Sequence, residues 1–81
     1  MLDYKKIKQA ADKYYDEYLK QHQGGMPDDI EKSVFNELVI NILNQYVLDS
    51  TYTFKERDYD FIDKYNIEVD KLINFFKKYI D

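Results

Sequence analysis

Between Ile30 and Leu48 the chain reads IEKSVFNELVINILNQYVL, its longest strongly apolar run, with neither glycine nor proline inside it. Plotted at a helical period, Val34, Phe35, Leu38, Val39, Ile42, Leu43 and Tyr46 fill about half the circumference, and Lys32, Ser33, Asn36, Glu37, Asn41 and Asn44 hold the other side. An apolar stripe that wide needs neighbours on two sides. The pattern therefore predicts a central helix over residues 28–48. Pro27 and the acids Asp28 and Asp29 suit its first turn, and Asp28 with Glu31 has the spacing of a capping box.

Upstream, Tyr4, Ile7, Ala11, Tyr14 and Tyr18 recur at steps of three and four, with Ala10, Tyr15 and Leu19 beside them. That is a helix stripe of ordinary width over residues 3–22. Lys5, Lys6, Gln9, Asp12, Lys13, Asp16 and Lys20 occupy the reverse side, and Lys13 with Glu17 is spaced for an ion pair. His22 and the Gly24-Gly25 pair supply a cation for the helix dipole and residues able to take a left-handed cap. On this reading Tyr14, Tyr18, Tyr46 and Tyr65 belong to the core, whereas Tyr15, Tyr52 and Tyr59 sit at stripe edges or in a connection.

Downstream, Asp49-Ser50-Thr51-Tyr52-Thr53 breaks the helical pattern without glycine, and Thr53 with Glu56 is spaced as a cap for the next helix. Residues 55–80 admit two readings. As one helix, Phe61, Ile62, Tyr65, Val69, Leu72, Ile73, Phe76 and Ile80 share an arc and only Ile67 points away. As two helices broken at Asn66-Ile67, the residues Phe61, Tyr65, Ile67, Leu72 and Phe75 fit the apolar template of a helix-turn-helix unit, with Asn66 where glycine is usual. Ile62 then stands where close helix approach favours a small residue. The fold class expected is all-α: residues 1–81 form a single small three-helix bundle, or four helices if the last segment breaks.

Composition supports helices and limits the chemistry. Two glycines and one proline among 81 residues are few breakers, and 44% hydrophobic with 35% charged residues suits a globular chain. A chain this long buries roughly 60% of its unfolded surface. Nine tyrosines and five phenylalanines make the apolar inventory aromatic, and the phenols need partners or water at the core's rim. Without cysteine there is no disulfide, thiolate metal site or cysteine nucleophile. No window approaches the roughly 20 apolar residues of a membrane span, and no export signal is visible, so a cytoplasmic, membrane-free protein is expected.

Catalytic, cofactor and metal sites find no foothold in these residues, and a non-enzyme is expected. Glu56, Asp58, Asp60 and Asp63 cluster, but a calcium loop counted from Asp58 meets Asp63 at its sixth position and Val69 at its twelfth, where glycine and glutamate are required. An acid-rich first helical turn accounts for them through the backbone dipole. His22, the single histidine, has no acidic or nucleophilic neighbour in sequence, Ser33 and Ser50 lack a nucleophile elbow, and Gly24-Gly25 lacks the rest of a phosphate loop.

Charge is the informative surface feature. The formal net charge is −4, yet residues 25–70 hold eleven acids against four bases while both ends are slightly basic. The leading expectation is a small binding protein, a regulator or inhibitor. It would dock an acidic, tyrosine-bearing surface made by Asp49, Tyr52, Glu56, Asp58, Tyr59, Asp60 and Asp63 on a basic protein partner, such as a nucleic-acid-binding protein. The alternative is a helix-turn-helix DNA-binding regulator using residues 58–80, with Lys64, Lys71, Asn74, Lys77 and Lys78 as its contacts. Glu68 and Asp70, which repel phosphate, stand against it. A third expectation is a self-associating helical protein, a homodimer covering the central stripe with a second copy.

Overall fold

The computed structural model describes residues 2–19, 28–48 and 53–80. Among these residues the protein is all-α, with four α-helices: α1 (Tyr4–Tyr14), α2 (Asp28–Val47), α3 (Glu56–Tyr65) and α4 (Val69–Phe76). A π-helical turn, Tyr15–Leu19, prolongs α1, and a 3-10 turn, Lys77–Tyr79, comes after α4. No helix among the described residues is long and apolar enough to cross a membrane.

The apolar arc of α2 does what its width demands, because α1, α3 and α4 all pack against it. Phe35, Leu38, Val39, Ile42 and Leu43 are almost wholly removed from solvent by the chain's own helices. The middle of the stripe is therefore covered without a second copy, and only its margins, Val34 and Tyr46, keep solvent exposure. At twenty residues α2 is about 30 Å long. It outruns its shorter neighbours, so Tyr46 is 44% exposed although it lies on the core arc, together with Val47 and Leu48 at the same end.

α1 lies antiparallel to α2 in a steady register. Tyr4 Oη donates to Asn44 Oδ1 at 3.4 Å, Asn36 Nδ2 donates to Asp12 Oδ1 at 2.9 Å, and Lys32 Nζ meets Asp16 Oδ1 at 3.0 Å, each step forward on one helix matched by an equal step back on the other. Asn36 is thus buried, not on the solvated side of α2, and a carboxylate across the seam accepts one of its amide protons. The expected Lys13–Glu17 pair forms at 3.9 Å on the solvent face.

The buried residues of the first segment are Ile7, Ala11, Tyr15 and Leu19, one in every four. On an α-helix of 3.6 residues per turn such a row drifts by about 40° at each step. The wider π turn takes up the drift and keeps Tyr15 and Leu19 against the core. Three placements read from the sequence are corrected. Tyr15, expected at an edge, is fully buried, while Tyr14 is half-buried and Tyr18 is 52% exposed. His22 and Gly24-Gly25 lie outside the described residues, as do Asp49, Ser50 and Tyr52.

Gln45 guides the chain into α3. Its side-chain amide accepts from Thr53 N at 2.6 Å and donates to Thr53 O at 3.1 Å, pairing with the backbone as a neighbouring strand would. Thr53 and Glu56 do not cap the helix. Lys55 is the N-cap, and Asp58 accepts from its backbone N–H at 3.3 Å, the acidic half of a capping box.

The last segment breaks where the second reading put it. Asn66 adopts φ 53° and ψ 48°, the left-handed region, and ends α3. Asn66 N–H bonds to Asp63 O and Ile67 N–H to Ile62 O, the paired reverse bonds of a Schellman motif. Ile62 and Ile67 both pack against the core, so the bulk of Ile62 is used and not excluded. Asn66→Ala is expected to cost about 1 kcal/mol because of its Cβ in left-handed backbone, whereas Asn66→Gly leaves the urea midpoint at or above that of the wild type.

Rings tie the helices together. Phe35 of α2 stacks on Phe61 of α3 at 5.9 Å and on Tyr14 of α1 at 5.6 Å, and Tyr14 meets Phe76 of α4 at 5.8 Å. Burial raises the Tyr14 phenol above its ordinary pKa, and the nearby Tyr18 adds to the effect while Lys71 opposes it. The segment before α1 meets the segment after α4, where Leu2 and Ile80 form an antiparallel bridge and Asp3 N bonds to Tyr79 O at 3.3 Å.

Candidate interaction groove

A concavity of about 640 Å³ runs between the first half of α2 and the outer side of α3. Ile30 and Val34 of α2 and Phe61 of α3 make its apolar floor, and Glu31, Glu56, Arg57, Asp60 and Lys64 line its sides. Helical spacing builds both walls. Ile30 and Val34 are one turn apart on α2, and Glu56 and Asp60 one turn apart on α3, so each pair projects from a single face.

The wall is held by Glu31. This carboxylate is 3% exposed, yet both of its oxygens are bonded: Oε1 accepts from Lys64 Nζ at 2.8 Å and Oε2 from Tyr65 Oη at 3.0 Å. A buried carboxylate requires such partners. Glu31 is therefore the strut that sets the α2–α3 spacing, its carboxylate turned toward α3. Arg57, the other cation of the groove, is bound to Glu37 of α2 through Nη2 and lies 3.9 Å from Asp58.

Internal ion pairing then decides the charge presented to a visitor. Both cations of the groove are engaged by carboxylates of the same fold. Glu56 and Asp60 are exposed and bond to no cation among the described residues, and Asp63, one turn further along α3, extends their line. The groove thus has an oily floor and a negative outer rim. No group of acids and histidines among the described residues is arranged to hold a metal ion.

The expected acidic surface is divided by the helix that carries it. Glu56, Asp60 and Asp63 share one line of α3. Asp58 is 4% exposed and serves the start of α3, which removes it from any docking face and corrects its assignment there. Tyr59 is half exposed but belongs to another side, its ring edge-on to Phe54 at 5.4 Å. Asp49 and Tyr52 lie outside the described residues. Of the residues assigned to DNA contact, Lys64 is held by Glu31 and Lys71 by Glu68 at 2.9 Å, while Asn74, Lys77 and Lys78 are exposed.

Sequence reading missed Glu31, Ile30 and Val34 as groove residues. A signal for Glu31 was present, since it continues the row Phe35, Leu38, Ile42 by one turn toward the amino end of α2. An acid in register with a core row requires a buried partner.

Fold and groove together define a small helical unit with an apolar, acid-rimmed furrow. Compared with protein-family models, with characterised proteins and with solved structures, the chain matches none.

Proposed function

We propose that this protein is a small non-catalytic binding protein whose α2–α3 groove receives a basic, amphipathic segment of a protein partner. The observation that carries the reading is the division of charge around the groove: its cations are bound internally, and the acids Glu56 and Asp60 are left to meet an incoming charge. A partner with an apolar side chain for the floor and lysine or arginine on either side of it suits both features. Occupying such a segment, for instance on a nucleic-acid-binding protein, would hide the basic surface and so regulate or inhibit it.

A synthetic amphipathic helix bearing leucine on one face flanked by lysines is the probe. Titrated with labelled peptide, the wild type is expected to bind and Glu56→Lys/Asp60→Lys to bind at least about tenfold more weakly, with affinity falling as salt rises. The same peptide with glutamate for lysine should not bind. Equal binding of both peptides, or no effect of the charge reversal, overturns the reading.

The break at Asn66 favours a second reading, DNA binding through the α3–α4 unit, since α4 then starts as a separate short helix bearing Asn74. Glu68 and Asp70 stand at the start of that helix, where phosphate would approach. A mobility shift with duplex DNA at low salt, lost in Asn74→Ala and Lys77→Ala, supports this reading. No shift removes it.

A further inference from the structure

A complement to the groove exists on the same molecule. The outer side of α4 and the turn after it carry Lys71, Phe75 and Lys78 at steps of four and three residues. Phe75 is 38% exposed, the largest apolar side chain that α4 offers to solvent, and Tyr14 packs edge-on against it at 5.0 Å, which fixes the ring in place. The Lys78 ammonium stands 5.1 Å from the Phe75 ring centre. Lys71 is paired with Glu68, and both side chains are mostly exposed, so that pair exchanges at little cost.

The acidic line of α3, which borders the groove at Glu56 and Asp60 and runs on to Asp63, repeats the spacing with opposite sign. Glu56, Asp60 and Asp63 also step by four and three residues on exposed α3. Glu56 to Asp63 spans about 10 Å of helix rise, and Lys71 to Lys78, whose last two steps are in the 3-10 turn, about 11–12 Å. Two helices laid side by side can thus place Lys71 and Lys78 on the outer acids, with the central phenylalanine at the level of Asp60, beside the floor of Ile30, Val34 and Phe61. Within one molecule the two stripes belong to different helices of the same bundle, and a helix cannot enter its own neighbour's groove without dismantling the core.

We propose that the groove takes the Lys71–Phe75–Lys78 stripe of a second copy of this chain. This inference rests on the groove described under the proposed function and names a further occupant for it. The contact is heterologous, donor stripe to acceptor groove, so it joins molecules head to tail and does not close as a symmetric pair would. Self-docking and partner docking compete for Glu56 and Asp60. Concentration of the protein then governs how much groove is open to a basic partner.

The test is sedimentation equilibrium of the full chain in low salt, from about 20 μM to about 1 mM, the range in which small, weak interfaces associate. Mass is expected to rise with concentration for the wild type and to fall back to monomer in added salt. Glu56→Lys/Asp63→Lys and Lys71→Glu/Lys78→Glu should each remain monomeric, since each carries like charge on stripe and groove. Their equimolar mixture should associate again, because each variant's groove matches the other's stripe. Circular dichroism confirms that the four exposed substitutions leave the helices intact.

A wild type that stays monomeric throughout overturns self-docking, as does association that ignores the charge reversals or a mixture that fails to recover. The basic-peptide titration separates this from the parent reading. Peptide binding by a strictly monomeric protein leaves the partner groove standing and removes only the second copy as its occupant.

Discussion

Phe35→Ala lowers folding stability by about 3–5 kcal/mol, the range for emptying a fully buried aromatic site. Phe35 has no solvent exposure and touches rings of two other helices, Tyr14 and Phe61, so its removal opens a cavity at the junction of α1, α2 and α3. None of these neighbours can collapse into the space alone, because each is anchored in a separate helix. A domain of this size has about 5–15 kcal/mol in total, and the variant is expected to melt broadly near room temperature. Phe35→Leu, which keeps much of the volume, loses clearly less. Urea unfolding followed by far-ultraviolet circular dichroism gives the comparison. A midpoint equal to that of the wild type would show that the three rings do not share one core.

Glu31→Ala is the second large effect, and its origin is polar. The substitution strips the partner from Lys64 and from the Tyr65 hydroxyl at once. Breaking a buried ion pair by removing one member costs about 3–5 kcal/mol. Here the Lys64 side chain is one-third exposed and regains water, which reduces the expected loss to about 2–3 kcal/mol. For a domain of this length that corresponds to a fall in melting temperature of about 10–20 °C. Glu31→Gln keeps the shape and an acceptor for the phenol and should lose about half as much. The double substitution Glu31→Leu/Lys64→Met removes the charges together and should recover much of the stability, as buried pairs replaced by apolar residues often do. If Glu31→Ala melts with the wild type, the carboxylate is not a strut between α2 and α3.

Comparing these two variants with charge reversal at the rim separates stability from binding. Glu31 and Phe35 hold the groove's shape, whereas Glu56 and Asp60 border it without structural bonds to the described residues. Charge reversal at Glu56 and Asp60 should therefore change binding with only the small fall in melting temperature that a cation in the first turn of α3 brings. Substitution at Glu31 should change both.

Much of this architecture was legible in the chain. The arc Phe35, Leu38, Val39, Ile42 and Leu43 announced a central helix enclosed on more than one side, and the ends of α2 fall within a residue of those read from the pattern. Both readings of the last segment were written in its residues, and local periodicity could not choose between them, since one arc serves a straight helix nearly as well as a broken one. The acids of residues 56–63 were equally visible, but sequence proximity does not say which of them face outward. Asp58 and Asp60 differ by two positions, and on a helix that distance turns one into the core and leaves the other in water.

Periodicity and composition determined the all-α class, the dominant helix and the absence of a cysteine-based site, because these depend on spacing and residue type along the chain alone. Tertiary structure decided the rest. It selected the helix break at Asn66, whose left-handed backbone brings Ile67 back onto the core, and it wound Tyr15–Leu19 into a π turn so that a four-residue row stays buried. It also joined Glu31 to Lys64 and Tyr65 across more than thirty positions of sequence, occupying the groove's cations and leaving its acids exposed. Which charges meet inside the fold, and which are left to face a visitor, depends on distances between helices that no local pattern encodes.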